Sequence, residues 1–547
     1  MFFDSQEHPI TTSKAWLLGL LCAVWVGMGL IGHDPWKSDE AHSFGLVYHI
    51  LQSGDWLIPT LAGEPRMDMP PLFYITAALF AKLFSSLLPL HDGARLASGF
   101  YTALTLLFTG LAGRELFGAG RGWSAVIILI GCLGMLVRAH EIIPDLALLA
   151  GFAMMLYGYA VCHRRSTRAG ILLGSGVGIG FMAKGFIAPV IFLTICILLL
   201  LFRTWRTRQF FTSLGMALLF SLPWLTVWPY LLYQHSPQLF AEWIATFNID
   251  RWFKYVQSGQ HIEWFYYLKI LPWFAWPALP LAAWAVWRGR KNVLRESEFQ
   301  LLLVCFVTML IVLSLLPKSK EVYALPMLLP LSLLATAALP TLRRGAANAL
   351  DWFGIMTFGF IVILMWWGWG WGGLLLDLDN RAKITRLLKD YQPGFEPAFH
   401  SAPFWVALVF TVLWVVLVWR VGRSMRRAVI NWAAGVTLLW VLTMTLWLPW
   451  LDSGKSYRSM VVALSAALPT KYDCITSRYL GDGQKAMLHY FGNILTKRSG
   501  DGACELLLTQ GNLSRADEKA GYWQVLWTGG RRGEKFERYY LYQRKLK

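Results

Sequence analysis

The sequence predicts an α-helical polytopic membrane protein that carries a small soluble α/β domain at its C-terminus. Of the 547 residues, 56% are hydrophobic and only 15% are charged, whereas soluble proteins have about 25% charged residues. Apolar runs of about 20 residues, long enough to cross a bilayer as a helix, recur as far as residue 450 and then stop. We therefore assign residues 1–450 to a transmembrane domain and residues 451–547 to the α/β domain.

The first domain contains a series of apolar segments that are candidates for crossing the membrane. They are 15–31, 72–90, 94–117, 123–138, 145–162, 170–183, 185–202, 210–232, 264–287, 299–316, 324–340, 350–374, 403–421 and 428–449. Arginine-rich loops alternate with other loops, and the arginine-rich ones should face the cytoplasm. Loops 32–71 and 139–145 are both assigned to the outer face, so an even number of segments must cross the membrane between them. Three candidate segments lie there. We therefore expect 72–90 not to cross, which leaves about thirteen crossings, with the N-terminus inside and the C-terminal domain outside.

The C-terminal domain shows alternating helix and strand patterns. We predict helices over 456–468 and 483–496, strands over 473–480 and 504–509, and a hairpin of 522–528 with 536–544. Cys474 and Cys504 are the only cysteines after residue 450. A location outside the cytoplasm permits a disulfide between them, and two reduced core cysteines are the alternative.

Charged residues beside apolar segments are candidates for function, because ionisable groups are costly at membrane depth. Asp39 and Glu40 follow the first span, within loop 32–71; a solvated helix flank is the alternative explanation. Asp145 begins an apolar segment, where an acidic residue also suits the helix dipole. Lys184 interrupts a long apolar stretch. The alternative explanation is that its side chain extends to the membrane surface without binding a ligand.

Short motifs follow one another between about residues 35 and 340. They are Asp39-Glu40, Ser53-Gly54-Asp55-Trp56-Leu57, Gly63-Glu64-Pro65, Pro70-Pro71-Leu72, Pro144-Asp145-Leu146-Ala147-Leu148, Gly180-Phe181-Met182-Ala183-Lys184-Gly185, Asp250-Arg251-Trp252-Phe253 and Ser314-Leu315-Leu316-Pro317-Lys318-Ser319-Lys320-Glu321-Val322-Tyr323. This ordered set resembles the aminoarabinose lipid A transferases. Those enzymes are bacterial relatives of the protein O-mannosyltransferases within the GT-C glycosyltransferases.

The resemblance implies the GT-C fold and an inverting glycosyltransferase of the bacterial inner membrane. Such an enzyme moves a sugar from a polyprenyl-phosphate carrier to lipid A or another envelope glycolipid at the periplasmic face. By the same resemblance, Asp39, Asp145 and Glu40 are the candidate catalytic residues. Positive charge would stabilise the departing phosphate, and the candidate phosphate-binding residues are Lys184, Arg251, Lys318, Lys320 and Tyr323.

The chain departs from the family at one motif. The family commonly has Glu-Lys before Pro-Pro in the first outer loop, with the lysine touching the donor phosphate, whereas this chain has Asp68-Met69. That change leaves the aminoarabinose specificity open. Some relatives bind zinc through the acidic residue and a later histidine, to which Asp68 and His261 correspond; both residue types are zinc ligands. We expect no obligatory cofactor, with a zinc ion at these two residues as the alternative.

The sequence also permits alternatives to a glycosyltransferase that acts on a glycolipid. A protein hydroxyl is the alternative acceptor within the same chemistry. A transporter would show internal repeats, and the 35–145 pattern has no evident second copy; a membrane scaffold would leave Lys184 unexplained. Basic residues form short clusters between apolar runs rather than one stripe, which argues against a nucleic acid partner. The expected partners are the lipid-linked donor, a glycolipid or protein acceptor and membrane lipids, and we expect a monomer.

Overall fold

The computed structural model describes residues 11–246, 263, 265–291, 293–316, 319–370, 399–421, 426–498, 504–512, 523–531, 534 and 537–544. The helices are α1 (Thr12–Gly27), α2 (Asp39–Ser53), α3 (Leu72–Leu83), α4 (Leu90–Phe117), α5 (Arg121–Ile130), α6 (Leu133–Arg138), α7 (Asp145–Val161), α8 (Ser166–Lys184), α9 (Ile187–Leu199), α10 (Arg208–His235), α11 (Pro237–Thr246), α12 (Tyr266–Phe274), α13 (Ala278–Gly289), α14 (Ser297–Ser314), α15 (Leu328–Ala338), α16 (Arg344–Trp369), α17 (Ser401–Arg420), α18 (Arg427–Thr443), α19 (Leu448–Lys455), α20 (Arg458–Ala467) and α21 (Asp482–Gly492). Three 3₁₀ segments are Arg203–Trp205, Glu321–Met327 and Leu339–Thr341.

Several helices are long and apolar enough to cross a membrane. Within the described residues there are six such helices, or up to eight if each of two bent pairs forms one span. Two predicted segments are interrupted at these bends: α12 and α13 meet at 100°, and α18 and α19 at 66°. The predicted segment 123–138 is likewise divided into α5 and α6. The thirteen crossings and their orientation stay a prediction.

The segment expected not to cross the membrane forms a short helix. Helix α3 has 12 residues, which corresponds to a length of about 18 Å at 1.5 Å per residue. The hydrocarbon core of a bilayer is about 30 Å thick. By length alone, α3 is therefore too short to span it.

Glycines bring α7, α8 and α10 into close contact. A Cβ atom on Gly151 of α7 would lie 2.7 Å from the carbonyl oxygen of Gly176 in α8, and a Cβ atom on Gly176 would lie 2.7 Å from the carbonyl oxygen of Gly151. On another face of α8, a Cβ atom on Gly174 would lie 2.4 Å from the Ala217 carbonyl of α10. The glycine-rich run in α8 therefore serves helix packing, which fixes the relative positions of the helix ends.

The C-terminal segment contains a mixed sheet and two helices. Its strands are β3 (Ile475–Arg478), β4 (Lys497–Arg498), β5 (Leu506–Gln510), β6 (Trp523–Gly530) and β7 (Arg538–Arg544), whereas β1 (Thr60–Leu61) and β2 (Glu64–Pro65) form a small hairpin in the first loop. The sheet order is β4-β3-β5-β7-β6, with β3 parallel to β4 and β5, and β7 antiparallel to β5 and β6. The predicted helices, strands and hairpin of this segment are present, but the second helix ends at Gly492 and β4 is an addition. That the segment forms a separate soluble domain stays a prediction.

A disulfide joins Cys474 to Cys504. Of the two alternatives left open by the sequence, the structure has the bonded one. The bond ties the residue before β3 to the residues before β5, so it fixes the edge at which these two parallel strands begin.

Candidate active site

The antiparallel pairing of α7 and α8 brings two predicted site residues together. Asp145 begins α7 and Lys184 ends α8, so both lie at the same end of the helix pair. The Nζ atom of Lys184 lies 2.9 Å from Oδ2 of Asp145, and the two side chains are only 6% and 7% exposed. The other carboxylate oxygen, Oδ1 of Asp145, is buried and has no hydrogen-bond partner among the described residues. The Asp145–Lys184 pair therefore includes a buried polar atom whose hydrogen bonding is incomplete among the described residues.

A cleft opens beside this pair. Its cavity volume is about 10 Å³, room for about one water molecule, and it is lined by Asp145, Lys184 and Tyr323 together with apolar side chains that include Ile187 and Leu313. The Lys184 ammonium lies 5.2 Å from the centre of the Tyr323 ring, within the range of a cation–π contact. The cleft thus presents one cation and one carboxylate on an otherwise apolar wall.

A second, more exposed ion pair joins Asp39 to Lys320. The distance between Lys320 Nζ and Asp39 Oδ1 is 3.4 Å, and the side chains are 43% and 41% exposed. The Lys320 carbonyl accepts hydrogen bonds from the Tyr323 backbone N–H at 3.1 Å and from the Tyr267 hydroxyl at 3.4 Å. Lys320 belongs to the pair with Asp39, and Tyr323 lies against Lys184. The segment from Lys320 to Tyr323 therefore connects the two ion pairs.

The two pairs form one electrostatic site. The Asp39 carboxylate is close enough for its charge to act on Lys184. Five predicted residues, Asp39, Asp145, Lys184, Lys320 and Tyr323, therefore converge although they come from four separate parts of the chain. Arg251 and Lys318, the other predicted phosphate-binding residues, lie outside the described residues.

Glu40 has a different position from that expected of a catalytic carboxylate. Its side chain is 1% exposed and pairs with Arg95 at 2.8 Å. It also accepts hydrogen bonds from the backbone N–H groups of Trp36 at 2.9 Å and Ile142 at 3.3 Å. Arg95 is fully buried and makes a second ion pair with Asp92 at 2.8 Å. We call Arg95, Glu40 and Asp92 the Arg95 cluster, and we reassign Glu40 from catalysis to holding the start of α2 in place.

Support for the site also comes from the loop between α6 and α7. Arg138 pairs with Glu141 at 2.9 Å and lies 3.9 Å from Glu321. Burial raises the pKa of Glu141, although the neighbouring Arg138 opposes the shift. His140, by contrast, bonds within the fold: its ring nitrogens lie 2.7 Å from the carbonyl oxygens of Leu136 and Trp25, which accept. These contacts of Arg138, His140 and Glu141 thus fix the loop between α6 and α7 beside Glu321.

Asp68, one of the two candidate zinc ligands, lies among the described residues. Asp68 is exposed near the site, and its charge acts on His42, as do those of Asp39 and Asp482. Among the described residues, no three His, Cys, Asp or Glu side chains converge closely enough to hold a metal ion. His261 lies outside the described residues. Zinc binding by Asp68 and His261 therefore stays a prediction.

Sequence reasoning missed three residues beside the site. His42 lies one helical turn after Asp39, Arg66 lies two residues before Asp68, and both contact Asp482 of α21. The one-turn spacing was a usable signal for His42. No sequence signal connects Asp482 to the first loop, because 416 residues separate it from Arg66. Burial lowers the pKa of His42, against the opposing charges of Asp482, Asp68 and Asp39.

The sequence is similar to several known glycosyltransferases. A family model described as dolichyl-phosphate-mannose-protein mannosyltransferase matches residues 68–228. Undecaprenyl phosphate-alpha-4-amino-4-deoxy-L-arabinose arabinosyl transferase 1 of Sodalis glossinidius is 31% identical over 58% of this chain and 58% of its own length. The corresponding transferase of Pseudomonas aeruginosa is 26% identical over 76% of this chain and 71% of its own. The match thus spans about three fifths of the Sodalis protein and more of the Pseudomonas one.

The fold is similar to that of ArnT from Cupriavidus metallidurans. The structure of that protein bound to undecaprenyl phosphate aligns with a TM-score of 0.67 at 15% identity and covers 97% of this chain and 98% of that one. Its apo structure gives 0.69 at 14% identity. These likenesses show that the chain has the ArnT-like GT-C fold. Together with the sequence matches, they confirm the predicted resemblance to GT-C polyprenyl-phosphate-sugar glycosyltransferases.

Proposed function

We propose that the chain is an inverting membrane glycosyltransferase that moves a sugar from a polyprenyl monophosphate carrier to lipid A or another envelope glycolipid. One observation carries the proposal: the buried Asp145–Lys184 pair opens onto a cleft and has the Asp39–Lys320 pair beside it. Carboxylates and cations thus lie side by side, as a reaction that separates a sugar cation from a phosphate anion requires.

The proposed reaction is a single displacement at the anomeric carbon. The acceptor oxygen bonds to C1 while the bond between C1 and the phosphate oxygen breaks, and polyprenyl phosphate leaves with the electron pair. One displacement inverts the configuration at C1. A hydroxyl acceptor passes its proton to the Asp39 carboxylate, whereas a phosphate acceptor attacks as an anion and has no proton to lose.

Each side chain of the site then has a role that follows from its position. Lys184 and Lys320 offset the charge that grows on the leaving phosphate, and the tyrosine ring of Tyr323 orients the Lys184 ammonium. Asp145 keeps Lys184 charged and in place, and its free oxygen faces the developing positive charge on the sugar. A zinc ion at Asp68 and His261 would supply further positive charge where the family lysine is replaced by Met69.

The proposed location is the bacterial inner membrane, with the reaction at the periplasmic face. The arginine-rich loops support a cytoplasmic position for the opposite ends of α7 and α8. We further propose thirteen crossings, a monomer, and a soluble α/β domain in the periplasm. A membrane-impermeant maleimide should label Lys471→Cys in intact spheroplasts and label Arg165→Cys only after permeabilisation. The reverse pattern would overturn the orientation, and the unsubstituted chain measures background from the native cysteines.

A protein hydroxyl is the second candidate acceptor. It is favoured by the family model matched over residues 68–228, whose description names a protein as the acceptor. The donor half of the site serves both acceptors equally, because Lys184 and Asp145 act on the sugar phosphate. The two candidate functions therefore differ in whether a glycolipid or a protein gains the mass of the sugar.

Mass spectrometry of the cell envelope tests the proposal. Lipid A, other glycolipids and envelope proteins are compared between cells that contain the chain, cells that lack it and cells restored with it. We expect one glycolipid to lose the mass of a single sugar when the chain is absent and to regain it on restoration. The same loss on a protein would select the second candidate, and no such difference in either class would overturn the proposed function.

A further inference from the structure

Helix α21 of the C-terminal segment lies directly on the start of α2. A Cβ atom on Gly483 would lie 3.1 Å from the carbonyl oxygen of Ser38, the residue before Asp39. Further along, a Cβ atom on Gly45 would lie only 2.4 Å from the Cβ atom of Ala486. The two helices thus approach closely at one glycine of each, and a Cβ atom on Gly45 would collide with Ala486.

One carboxylate at the N-terminus of α21 contacts two separate parts of the first loop. Asp482 accepts a hydrogen bond from the guanidinium of Arg66, and its other oxygen lies 3.9 Å from Nδ1 of His42. All three side chains are largely shielded, between 20% and 32% exposed. His42 is one helical turn after Asp39, and Arg66 is two residues before Asp68.

The contacts around Arg66 form a chain of alternating charges. Arg66 lies 3.6 Å from Glu64, and Glu64 lies 3.9 Å from Lys485 in α21. The β1–β2 hairpin, which contains Glu64, is therefore held to α21 at two points. Because these charged side chains share partners, moving one of them changes the contacts of the others. The position of the hairpin relative to α21 is therefore restricted.

The other end of α21 is also anchored to the membrane helices. The Tyr490 hydroxyl lies 2.9 Å from Nδ1 of His91 at the start of α4. The Tyr490 ring packs edge-on against Phe44 of α2 at 4.7 Å between centroids. Because α21 is fixed at both ends, it provides a rigid support against which Asp482 can hold the first loop.

We infer that Asp482 is a positioning residue of the active site: it accepts a hydrogen bond from Arg66, lies against His42 and so keeps Asp39 and Asp68 at a fixed separation. This inference rests on the proposed function. A reacting group displaced by about 1 Å can lose about 100-fold in rate, and supporting residues have to hold such groups within about 0.5 Å. The C-terminal segment therefore contributes to catalysis through a residue that touches no substrate.

Asp482→Asn in the full-length chain, reconstituted with donor and acceptor lipids, tests the inference. We expect kcat to fall by about 10- to 100-fold while KM for the donor changes little, because the phosphate-binding lysines are untouched. Asp482→Glu should recover part of kcat, since it restores the charge. Asp473→Asn, an exposed aspartate of the same segment, is the control and should leave kcat unchanged. An unchanged kcat in Asp482→Asn, or an equal loss in the control, would overturn the inference.

A pair of helical glycines provides a second test. Gly45→Ala must push α21 away from α2, whereas a Cβ atom on Gly215 of α10 has no neighbour within 4 Å. We expect Gly45→Ala to lower kcat and Gly215→Ala to leave it unchanged; equal kcat values in the two variants would contradict the role of this contact. If the unsubstituted chain itself transfers no sugar, the proposed function fails. If it is active and the Asp482 and Gly45 variants are equally active, only the present inference fails.

Discussion

Asp39 and Glu40 are neighbours in sequence, yet they belong to two different electrostatic environments. Asp39 is 41% exposed and, among the described residues, pairs with Lys320 at 3.4 Å. Glu40 is 1% exposed, pairs with Arg95 and accepts two backbone hydrogen bonds. Because successive side chains of a helix point in directions about 100° apart, one residue faces the site and the other faces the core. Burial and hydrogen bonding together, and not charge, therefore distinguish Asp39, the carboxylate proposed to react, from Glu40, which is held within the fold.

The same distinction applies to the two buried ion pairs. In the Arg95 cluster, Arg95 also donates to the carbonyls of Leu30 and His33 at 3.3 Å and 3.1 Å. In the candidate site, Oδ1 of Asp145 is buried without a described partner. An unsatisfied buried polar atom costs about 1–3 kcal/mol. That cost is explained if the lipid-linked sugar donor or the molecule that accepts the sugar donates a hydrogen bond to Asp145 when bound.

The largest expected effect is on the rate of Asp39→Asn. Removing the carboxylate eliminates general-base or orienting assistance, which contributes about 10²- to 10⁴-fold. Because Asp39 is half-exposed, the variant should retain the melting temperature of the unsubstituted chain in detergent. Initial rates of sugar transfer and thermal unfolding are the two measurements. Transfer within about twofold of the unsubstituted rate would remove Asp39 from the mechanism and break the contrast with Glu40.

Arg95→Leu should act on stability instead. The substitution leaves Glu40 and Asp92 buried without their cation, which typically costs about 3–5 kcal/mol. We expect a large drop in melting temperature and a low yield of folded protein. As a matched control, Arg164→Leu removes an arginine whose side chain is 73% exposed and pairs with Glu115, and it should cost little. Equal stability of the two variants would show that the Arg95 cluster is not a structural element.

Sequence reasoning succeeded where local pattern determines position. Segments 145–162 and 170–183 were predicted as successive crossings, which run in opposite directions and so place Asp145 and Lys184 at the same end. It also succeeded for the C-terminal helices and strands, whose periodicity and turn residues are local. The motif order of the resemblance supplied Lys320 and Tyr323, which composition could not have selected.

It failed where the outcome depends on which face of an element meets which neighbour. Nothing in the pair Asp39-Glu40 states which side chain faces Arg95, a residue 55 positions away from Glu40. The contact of Asp482 with Arg66 spans 416 positions and needs the docking of α21 on α2. Likewise, the apolar runs alone do not reveal the bends at 100° and 66°, which lie beside Pro277 and Pro449.

The smallest effect on stability is expected for Lys320→Gln, which removes one partner of the exposed Asp39–Lys320 pair. The Asp39–Lys320 pair has side chains more than 40% exposed, and exposed ion pairs contribute about 0–1 kcal/mol. Its melting temperature should therefore hardly change. If Lys320 binds the donor phosphate, KM for the donor should rise, and Lys320→Arg should restore it because a guanidinium also binds phosphate. An unchanged KM in Lys320→Gln would leave Lys184 as the phosphate cation among the described site residues, and the reactive environment would then reduce to the buried Asp145–Lys184 pair with Asp39 beside it.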